Sequence, residues 1–424
     1  MQRKTIIGAV LALGVVGIGF AFWMMWRPQI ATVSQPQSAG RETLDRGRRI
    51  VETGDCAVCH TRPGGDYMAG GLPLKTPFGT LFTTNITPDR ETGIGKWSLE
   101  AFERAMREGI ARDGHFLYPA FPYVHYRRLN DADIADAYAF LMSVDPVKYT
   151  APENHMVFPM NFRALVSFWN LLFLHGDPLE PLPDRSAQWN RGRYLVEGAG
   201  HCSSCHSPLN PIGGEKSSEL FNGGIVDGWT APSLRGMAAA QHPWNEAQLV
   251  AYLTGKVAED HGAAAGPMLP VSLSIAQLPV EDAHAIARYI LDLKKTSSHV
   301  TSPPCPPEAK PSAQALPGAA LFEGACESCH GSAAPMRAIE SRPALANTSA
   351  VTADSPRNLI QTILQGIPMS SAASSHYMPA FADSLDDSHL VAIAEYLRNE
   401  NCPNRPWTDL DKTINSIRAQ EQQP

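Results

Sequence analysis

The chain has 424 residues, of which 44% are hydrophobic and 18% are charged. A chain of this length and composition can form about two to four globular domains with apolar cores. The formal net charge of −7 gives no basic surface of the kind that binds nucleic acid, so we expect no nucleic-acid partner.

The first predicted element is an apolar segment at the N-terminus. Residues 5–26 contain no charged side chain and follow two basic residues. A helix of this length spans a bilayer, and the positive charges before it keep the N-terminus in the cytoplasm. We therefore predict a transmembrane anchor over 1–26, a linker over 27–40, and the remaining chain on the periplasmic side of the inner membrane. The alternative is a signal peptide cleaved near Ala31 or Ala39.

Three Cys-x-x-Cys-His motifs follow along the chain. They are Cys56, Cys59 and His60; Cys202, Cys205 and His206; and Cys326, Cys329 and His330. This spacing is the attachment signature of c-type haem, because two thiols one helical turn apart bond the porphyrin while the adjacent imidazole binds the iron. Zinc sites and redox pairs also use a single Cys-x-x-Cys, but three copies that each end in histidine favour haem. We predict three covalently bound haems c.

Each motif lies within a repeated helical pattern. Arg-Gly-Arg segments at 46–48 and 191–193 precede the first two motifs, and Gly318 has the matching place before the third. An apolar helix with an aromatic residue ends each repeat. The aromatic residues are Tyr138, Tyr289 and Tyr396. We predict that each glycine lets the closing helix approach closely, so that the two helices cross at the haem edge.

The predicted fold class is all-α, with three tandem cytochrome c domains behind the transmembrane helix. The domains are 41–149, 186–296 and 318–402, separated by a connector over 150–185 and a proline-rich linker over 297–317 and followed by a polar tail over 403–424. Within the connector, residues 165–174 are too apolar for an exposed linker and too short to span a membrane. This segment either packs between domains or touches the membrane surface or a partner subunit.

The two cysteines outside the motifs bracket the third domain. Cys305 lies in the proline-rich linker, and Cys402 follows the last closing helix. Haem attachment takes place outside the bacterial cytoplasm, where disulfides persist. We therefore predict that these two cysteines form a disulfide.

Methionines in proline-flanked loops are the predicted distal ligands of the second and third haems. Met268 lies between two nearby prolines after His206, and Met378 is followed directly by a proline after His330. Both loops come just before the closing helix of their repeat. A thioether opposite the histidine is typical of electron-transfer cytochromes and raises their reduction potential. Met237 and Met369 are the alternatives.

The first haem departs from this pattern. Phe121, which cannot bind iron, precedes a proline and lies after His60 at the place where a methionine is expected. His125 follows in the same loop, and we predict it as the distal ligand. Met106, Met142 or an open position are the alternatives. A bis-histidine haem would have a lower potential than the other two.

Three further segments carry a family resemblance. They are Gly71–Gly79, Thr83–Asp89 and Tyr118–Tyr123. With the three haem motifs, they make the chain similar to the cytochrome c subunits of the membrane-bound periplasmic dehydrogenases of acetic acid bacteria and their relatives. The resemblance implies a non-catalytic subunit that passes electrons from a large catalytic subunit to membrane ubiquinone. It also allows for a small iron–sulfur subunit in the same complex.

The resemblance also separates branches of that family. The alcohol and sugar branches usually carry methionine where this chain has Phe121, and the Phe121 and His125 pair is more similar to the molybdenum-dependent branch. We therefore favour an aldehyde dehydrogenase complex. The alternatives are a quinoprotein alcohol dehydrogenase, a flavin-dependent sugar or gluconate dehydrogenase, and a haem enzyme that uses an open position on the first haem.

Overall fold

The structure is a computed structural model. It describes residues 19, 25–34, 39–240, 242–294, 305, 317–331, 333–334, 345, 348–369 and 377–421. The predicted transmembrane anchor, apart from residues 19, 25 and 26, and most of the proline-rich linker lie outside the described residues. Within the described ranges, no helix combines the length and the apolar character needed to cross a membrane.

The first compact unit comprises Met1–Glu180 and Glu197–His201. Its helices are α1 (Arg41–Thr53), α2 (Cys56–His60), α3 (Leu99–Glu108), α4 (Tyr123–Tyr126), α5 (Asp131–Leu141) and α6 (Val166–Phe173), the last preceded by a 3₁₀ turn over Arg163–Leu165. Its strands are β1 (Pro73–Thr76), β2 (Gly79–Phe82) and β3 (His155–Met156), antiparallel in the order β1-β2-β3 with Leu74 opposite Leu81 and Thr80 opposite His155.

The second compact unit comprises Pro181–Val196 and Cys202–Pro424. Its helices are α7 (Ala187–Tyr194), α8 (Ser203–His206), α9 (Glu246–Leu253), α10 (Met268–Ile275), α11 (Val280–Asp292), α12 (Pro317–Ala325), α13 (Glu327–His330), α14 (Ser349–Thr352), α15 (Arg357–Gln365), α16 (Asp387–Asn401) and α17 (Leu410–Glu421). Strands β4 (Gly224–Val226) and β5 (Trp229–Ala231) form an antiparallel hairpin with Ile225 opposite Thr230. Shorter turns are the 3₁₀ segments Ser217–Glu219 and Met237–Ala239, and the π-helical segment Leu195–Ala199 has only its first two residues in this unit.

The prediction of helical cytochrome c domains is confirmed, but the all-α class is incomplete. Both units also contain small antiparallel sheets. Their strands have two to four residues each, which is too short for an alternating pattern to be recognised in the sequence.

The predicted contact between opening and closing helices is confirmed in all three repeats. A Cβ added at Gly47, Gly192 or Gly318 would lie 1.9, 2.0 or 2.0 Å from the carbonyl oxygen of Asp136, Ala285 or Ala392, respectively. Only glycine allows the two backbones to come this close, so the sequence repeat is also a packing repeat.

The aromatic residue beside the glycine in the first repeat is not the tyrosine of the sequence pattern. Tyr289 and Tyr396 have their Cβ atoms beside the glycine in the second and third repeats, but Phe140 occupies this place in the first. Tyr138 instead packs on Phe102, and its hydroxyl donates to the Trp97 carbonyl at 2.8 Å. Tyr138 and Phe140 lie two positions apart on one helix and therefore contact different neighbours. The sequence pattern did not show which of them contacts the glycine.

The segment predicted as a polar tail contains a helix that packs on the third repeat. Residues 410–421 form helix α17, and Leu410, Ile414 and Ile417 are buried in the core that surrounds α15 and α16. Their spacing places these three side chains on one face of the helix. Most residues between them are polar. The composition of the tail as a whole therefore does not reveal its apolar face.

The predicted N-terminal linker over 27–40 and the connector as far as Glu180 belong to the first unit. The Ile30 N–H donates to the Arg112 carbonyl at 2.8 Å, so the chain after the predicted anchor is bound along this unit. Val166 of α6 is buried with Ile110 and Phe116. The segment Glu197–His201, which the sequence assigned to the second domain, also belongs here. Contacts distant in sequence decide these memberships, and composition does not show them.

The predicted disulfide is confirmed. Cys305 and Cys402 are bonded and lie 97 residues apart in sequence, with their Cα atoms 4.9 Å apart. Closing a loop of this length restricts the unfolded chain and stabilises the folded state by about 4 kcal/mol in the chain-entropy model.

Candidate haem centres

Helix α2 carries the first motif. The His60 Nδ1–H donates to the Thr84 carbonyl at 2.5 Å, which fixes the ring and leaves Nε2 for a metal. Burial lowers the pKa of His60, which favours the neutral imidazole that iron ligation requires. Cys56 and Cys59 are not disulfide-bonded. This arrangement fits a covalently attached haem.

A buried asparagine shapes the loop that supplies the Thr84 carbonyl. The Asn85 Nδ2–H donates to the Val147 carbonyl at 2.7 Å, while Oδ1 accepts from the N–H of Thr87 at 2.9 Å. Asn85 is 4% exposed, so these bonds satisfy a polar group that burial would otherwise penalise. The loop containing Thr83–Asp89 therefore has a structural role next to the first haem motif.

The second motif repeats this geometry. The His206 Nδ1–H donates to the Pro232 carbonyl at 2.7 Å, directly after β5 ends. Burial lowers the pKa of His206. It also raises the pKa of both the Cys56 and the Cys202 thiol to about 12, so neither is a thiolate at neutral pH.

The third motif also lies on a short helix, α13. Cys326 precedes the helix, and Cys329 and His330 lie within it. Both cysteines are free of disulfides, and burial raises the pKa of the Cys326 thiol. A zinc site would need a cluster of thiolates and other ligands. No group of three or more His, Cys, Asp or Glu side chains suited to a metal ion occurs in the described part of the chain.

The predicted distal methionines lie in the two cores of the second unit. Met268 begins α10 and packs against the same core cluster as Cys202. Met378 packs against the core that Leu321 and Phe322 of α12 also touch. Of the alternatives, Met237 packs on the same core as Met268, whereas Met369 is 76% exposed. Both methionines thus lie at core positions that suit a haem ligand. Their assignment as ligands stays a prediction.

His125 lies in a cluster that the sequence did not reveal. Its side chain is 5% exposed, its Nδ1 is 3.4 Å from the Glu197 carbonyl, and its ring centre is 6.4 Å from that of His201. The Tyr126 hydroxyl donates to the Gly54 carbonyl at 3.0 Å, close to the first motif. Tyr126 and His201 were missed because neither lies in a recognisable motif.

Phe121 packs on two aromatic side chains of α4. Its ring centre is 6.1 Å from that of Tyr123 and 5.5 Å from that of Tyr126. The residue at the expected ligand place of the first haem thus belongs to an aromatic cluster. Its side chain supplies packing and offers no iron ligand.

Two family models match parts of the chain. The model described as cytochrome c matches residues 44–145, and the model described as cytochrome c oxidase, cbb3-type, subunit III, matches residues 313–397. These matches contain the first and third Cys-x-x-Cys-His motifs. They support covalent haem c at those sites.

Three curated relatives align with nearly the whole chain. A nicotinate dehydrogenase subunit of Pseudomonas putida is 47% identical over 93% of this chain, although the chain spans only about a third (33%) of that relative. The fructose dehydrogenase cytochrome subunit of Gluconobacter japonicus is 34% identical, with 86% of this chain and 81% of the relative aligned. The alcohol dehydrogenase (quinone) cytochrome c subunit of Gluconobacter oxydans is 31% identical, covering 96% and 86%. With three haem c motifs and these extensive similarities, the chain belongs to the family of cytochrome c subunits of membrane-bound dehydrogenases.

Proposed function

We propose that this chain relays electrons from a catalytic dehydrogenase subunit to membrane ubiquinone. The observation that carries the proposal is the motif geometry, in which His60 and His206 are each oriented by a backbone carbonyl beside two cysteines that form no disulfide. Haem c supplies reversible one-electron transfer when bound. The chain attaches it through the cysteines, presents neutral imidazoles and surrounds it with apolar cores.

The ligand assignments form part of this proposal. His60, His206 and His330 are the proximal ligands, Met268 and Met378 are the distal ligands of the second and third haems, and His125 is the distal ligand of the first. The positions of Met268 and Met378 in the cores of their repeats support the methionine assignments. We keep the three predicted domains, except that Glu197–His201 is counted with the first and α17 is added to the third.

The catalytic partner is proposed from similarity. The sequence favours an aldehyde dehydrogenase of the molybdenum-dependent branch, and the relative that is 47% identical is named as part of a nicotinate dehydrogenase. We therefore propose a molybdenum-dependent dehydrogenase whose substrate is an aromatic N-heterocyclic acid or an aldehyde. In this proposal, the partners of the cytochrome chain are a large catalytic subunit and a small iron–sulfur subunit.

An exposed apolar surface supports a location at the inner membrane, on its periplasmic side. Phe158, Leu171 and Leu172 are 80%, 59% and 57% exposed. The Arg27 guanidinium lies 5.5 Å from the ring centre of Phe116, which also contacts Val166 of α6. The chain leaving the predicted anchor is thus bound beside α6, so an anchor in the bilayer would hold this apolar surface near the lipid.

Removing one haem tests the relay. In the purified complex, the Cys202→Ala/Cys205→Ala variant should lose one covalent haem of three and the reduction of ubiquinone, while substrate still reduces an artificial dye. The Ser204→Ala variant keeps both thiols and should retain both activities. Loss of dye reduction in the double variant would show that substrate chemistry needs this chain.

The complex itself tests the partner. After purification from membranes, its metal content and the substrate that reduces its haems under anaerobic conditions are measured. Molybdenum and iron, with haem reduction by nicotinate or an aldehyde, would support the proposal. Calcium with pyrroloquinoline quinone, or a flavin, would instead assign the chain to an alcohol or sugar dehydrogenase.

A further inference from the structure

Two of the haem motifs share a feature beyond the histidine hydrogen bond. In the first unit, β2 leads to the Thr84 carbonyl that accepts from His60. Two residues before Thr84, the Phe82 N–H donates to Asn154 Oδ1 at 2.8 Å. An asparagine side chain thus binds the strand that positions the accepting carbonyl, on the side where β2 pairs with β3. Asn154 directly precedes β3, so here the same unit supplies it.

The second unit has the same arrangement in the same register. Two residues before Pro232, the Thr230 N–H donates to Asn358 Oδ1 at 2.8 Å. The Asn358 Nδ2–H in turn donates to the Thr230 carbonyl, also at 2.8 Å. The asparagine now comes from α15 of the third repeat. One haem repeat therefore supplies the residue that binds the strand beside another repeat's proximal histidine.

Strand β5 lies next to residues beside both predicted ligands of the second haem, His206 and Met268. Its end leads to the Pro232 carbonyl that accepts from His206. Its first residue, Trp229, packs on Gly266 so closely that a Cβ there would lie 2.4 Å from the indole ring, and Gly266 comes two residues before Met268. The Arg357 Nε–H adds a bond of 2.6 Å to the Gly228 carbonyl at the hairpin turn.

The hairpin needs such support. It has only three residues in each strand, and an isolated two-stranded hairpin is marginally stable in water. Without Asn358, the outer edge of β5 would lose both of its hydrogen bonds to that side chain. The Pro232 carbonyl would then have greater freedom to move away from His206 Nδ1.

We propose that Asn358 is a positioning residue for the second haem, supplied by the third repeat. The proposal rests on His206 as the proximal ligand, as assigned above. A hydrogen bond from Nδ1–H to a carbonyl makes the imidazole a stronger donor to iron and favours the ferric state. Asn358 holds that carbonyl in place through β5, so the packing between the second and third repeats adjusts the reduction potential of the second haem.

The test is a set of single substitutions in the full-length holoprotein, followed by redox titration of each haem and by low-temperature electron paramagnetic resonance. Asn358→Ala should raise the midpoint potential of the second haem, shift its low-spin ferric signal and leave the other two haems unchanged. Asn154→Ala should do the same to the first haem alone. Asn415→Ala, on the exposed face of α17, should change neither. The second haem is identified as the component missing from the Cys202→Ala/Cys205→Ala variant.

Two outcomes would overturn the proposal. If Asn358→Ala lowers the melting temperature while the potential and signal of the second haem stay constant, Asn358 only joins the repeats. If the third haem shifts instead, the effect does not pass through β5. A separate His206→Ala variant tests the ligand assignment: loss of the low-spin signal of the second haem confirms the ligand, whatever Asn358 does.

Discussion

At the scale of single residues, backbone carbonyls orient the histidines of the first two motifs. Thr84 and Pro232 are unrelated in side chain, yet each accepts a hydrogen bond from a histidine Nδ1–H. A carbonyl is present at every residue, so its role depends only on where the backbone runs. Sequence motifs identify the histidines, whereas the loops decide which carbonyls meet them.

The distal position of the first haem gives one prediction at this scale. His125→Ala should remove the low-spin signal of one haem in three and let that haem bind carbon monoxide after reduction. The reason is that loss of an imidazole ligand leaves an open iron position. His201→Ala, in the same cluster, is the matched control and should leave ligation unchanged. Carbon monoxide binding equal to that of the unmodified protein would show that another group holds this position.

A second residue-scale prediction concerns a partly exposed ion pair. Glu246 of α9 accepts from His284 Nδ1 at 2.7 Å and from Arg288 at 3.2 Å, both on α11. The bond to His284, followed by that to Arg288, lowers the pKa of Glu246 despite some desolvation. A carboxyl with a lowered pKa in the folded state stabilises the fold above its ordinary pKa, and this contribution is lost as the pH falls through the lowered value.

Glu246→Gln should therefore reduce the stability of α9 by about 0.5 kcal/mol at pH 7, a value typical of solvent-screened pairs. The difference from the unmodified protein should disappear well below pH 4.5, the reference pKa of the carboxyl. Amide hydrogen exchange of α9 measures this local stability. Glu259→Gln, at an exposed position of the same repeat, serves as the control. If the loss of α9 stability persists unchanged at low pH, its cause is altered packing and not the loss of a charge.

At the scale of elements, the glycine contact between opening and closing helices defines each repeat. Helix α12 contains two glycines in different surroundings. Gly318 faces the Ala392 carbonyl, whereas Gly324 has no atom within 4 Å of an added Cβ. The same substitution in one helix can therefore separate helix propensity from helix packing.

Gly318→Ala should destabilise the third repeat by about 1–3 kcal/mol or more, because the added methyl group overlaps a backbone oxygen. Gly324→Ala should be neutral or stabilising by up to about 1 kcal/mol, since alanine favours helix. Thermal unfolding of the holoprotein compares the two variants. Equal effects would mean that α12 and α16 can separate without loss of stability.

At the scale of the whole molecule, the apolar surface of α6 and the predicted anchor make a joint prediction. Removing residues 1–26 and supplying a cleavable signal should release most of the protein from membranes, because the described residues contain no other helix able to span one. The exposed apolar surface should leave weak binding to lipid vesicles. Leu171→Glu/Leu172→Glu in this truncated protein should abolish that binding, since charged side chains are unfavourable in the acyl region.

Vesicle sedimentation measures the binding, and Leu209→Glu/Ile212→Glu provides a control with two exposed apolar residues outside α6. Equal loss of vesicle binding in both double variants would show that α6 has no special role in membrane binding. Unchanged membrane attachment after truncation would show a second anchor in a partner subunit.

Short local patterns in the sequence were enough to predict several features of this protein. The haem cysteines and histidines, the disulfide between Cys305 and Cys402, and the glycine contacts of the three repeats follow from patterns whose chemistry needs fixed residue types.

The surroundings of these groups became visible only in the folded chain. The fold placed Glu197–His201 and α6 in the first unit and buried Ile414 of α17. It also set Phe140, and not Tyr138, beside Gly47 and joined Asn358 to Thr230 by a hydrogen bond. These contacts join residues far apart in the chain, and many use backbone atoms that every residue carries. Local patterns therefore contain no signal for them, because the partners meet only where the backbone brings them together.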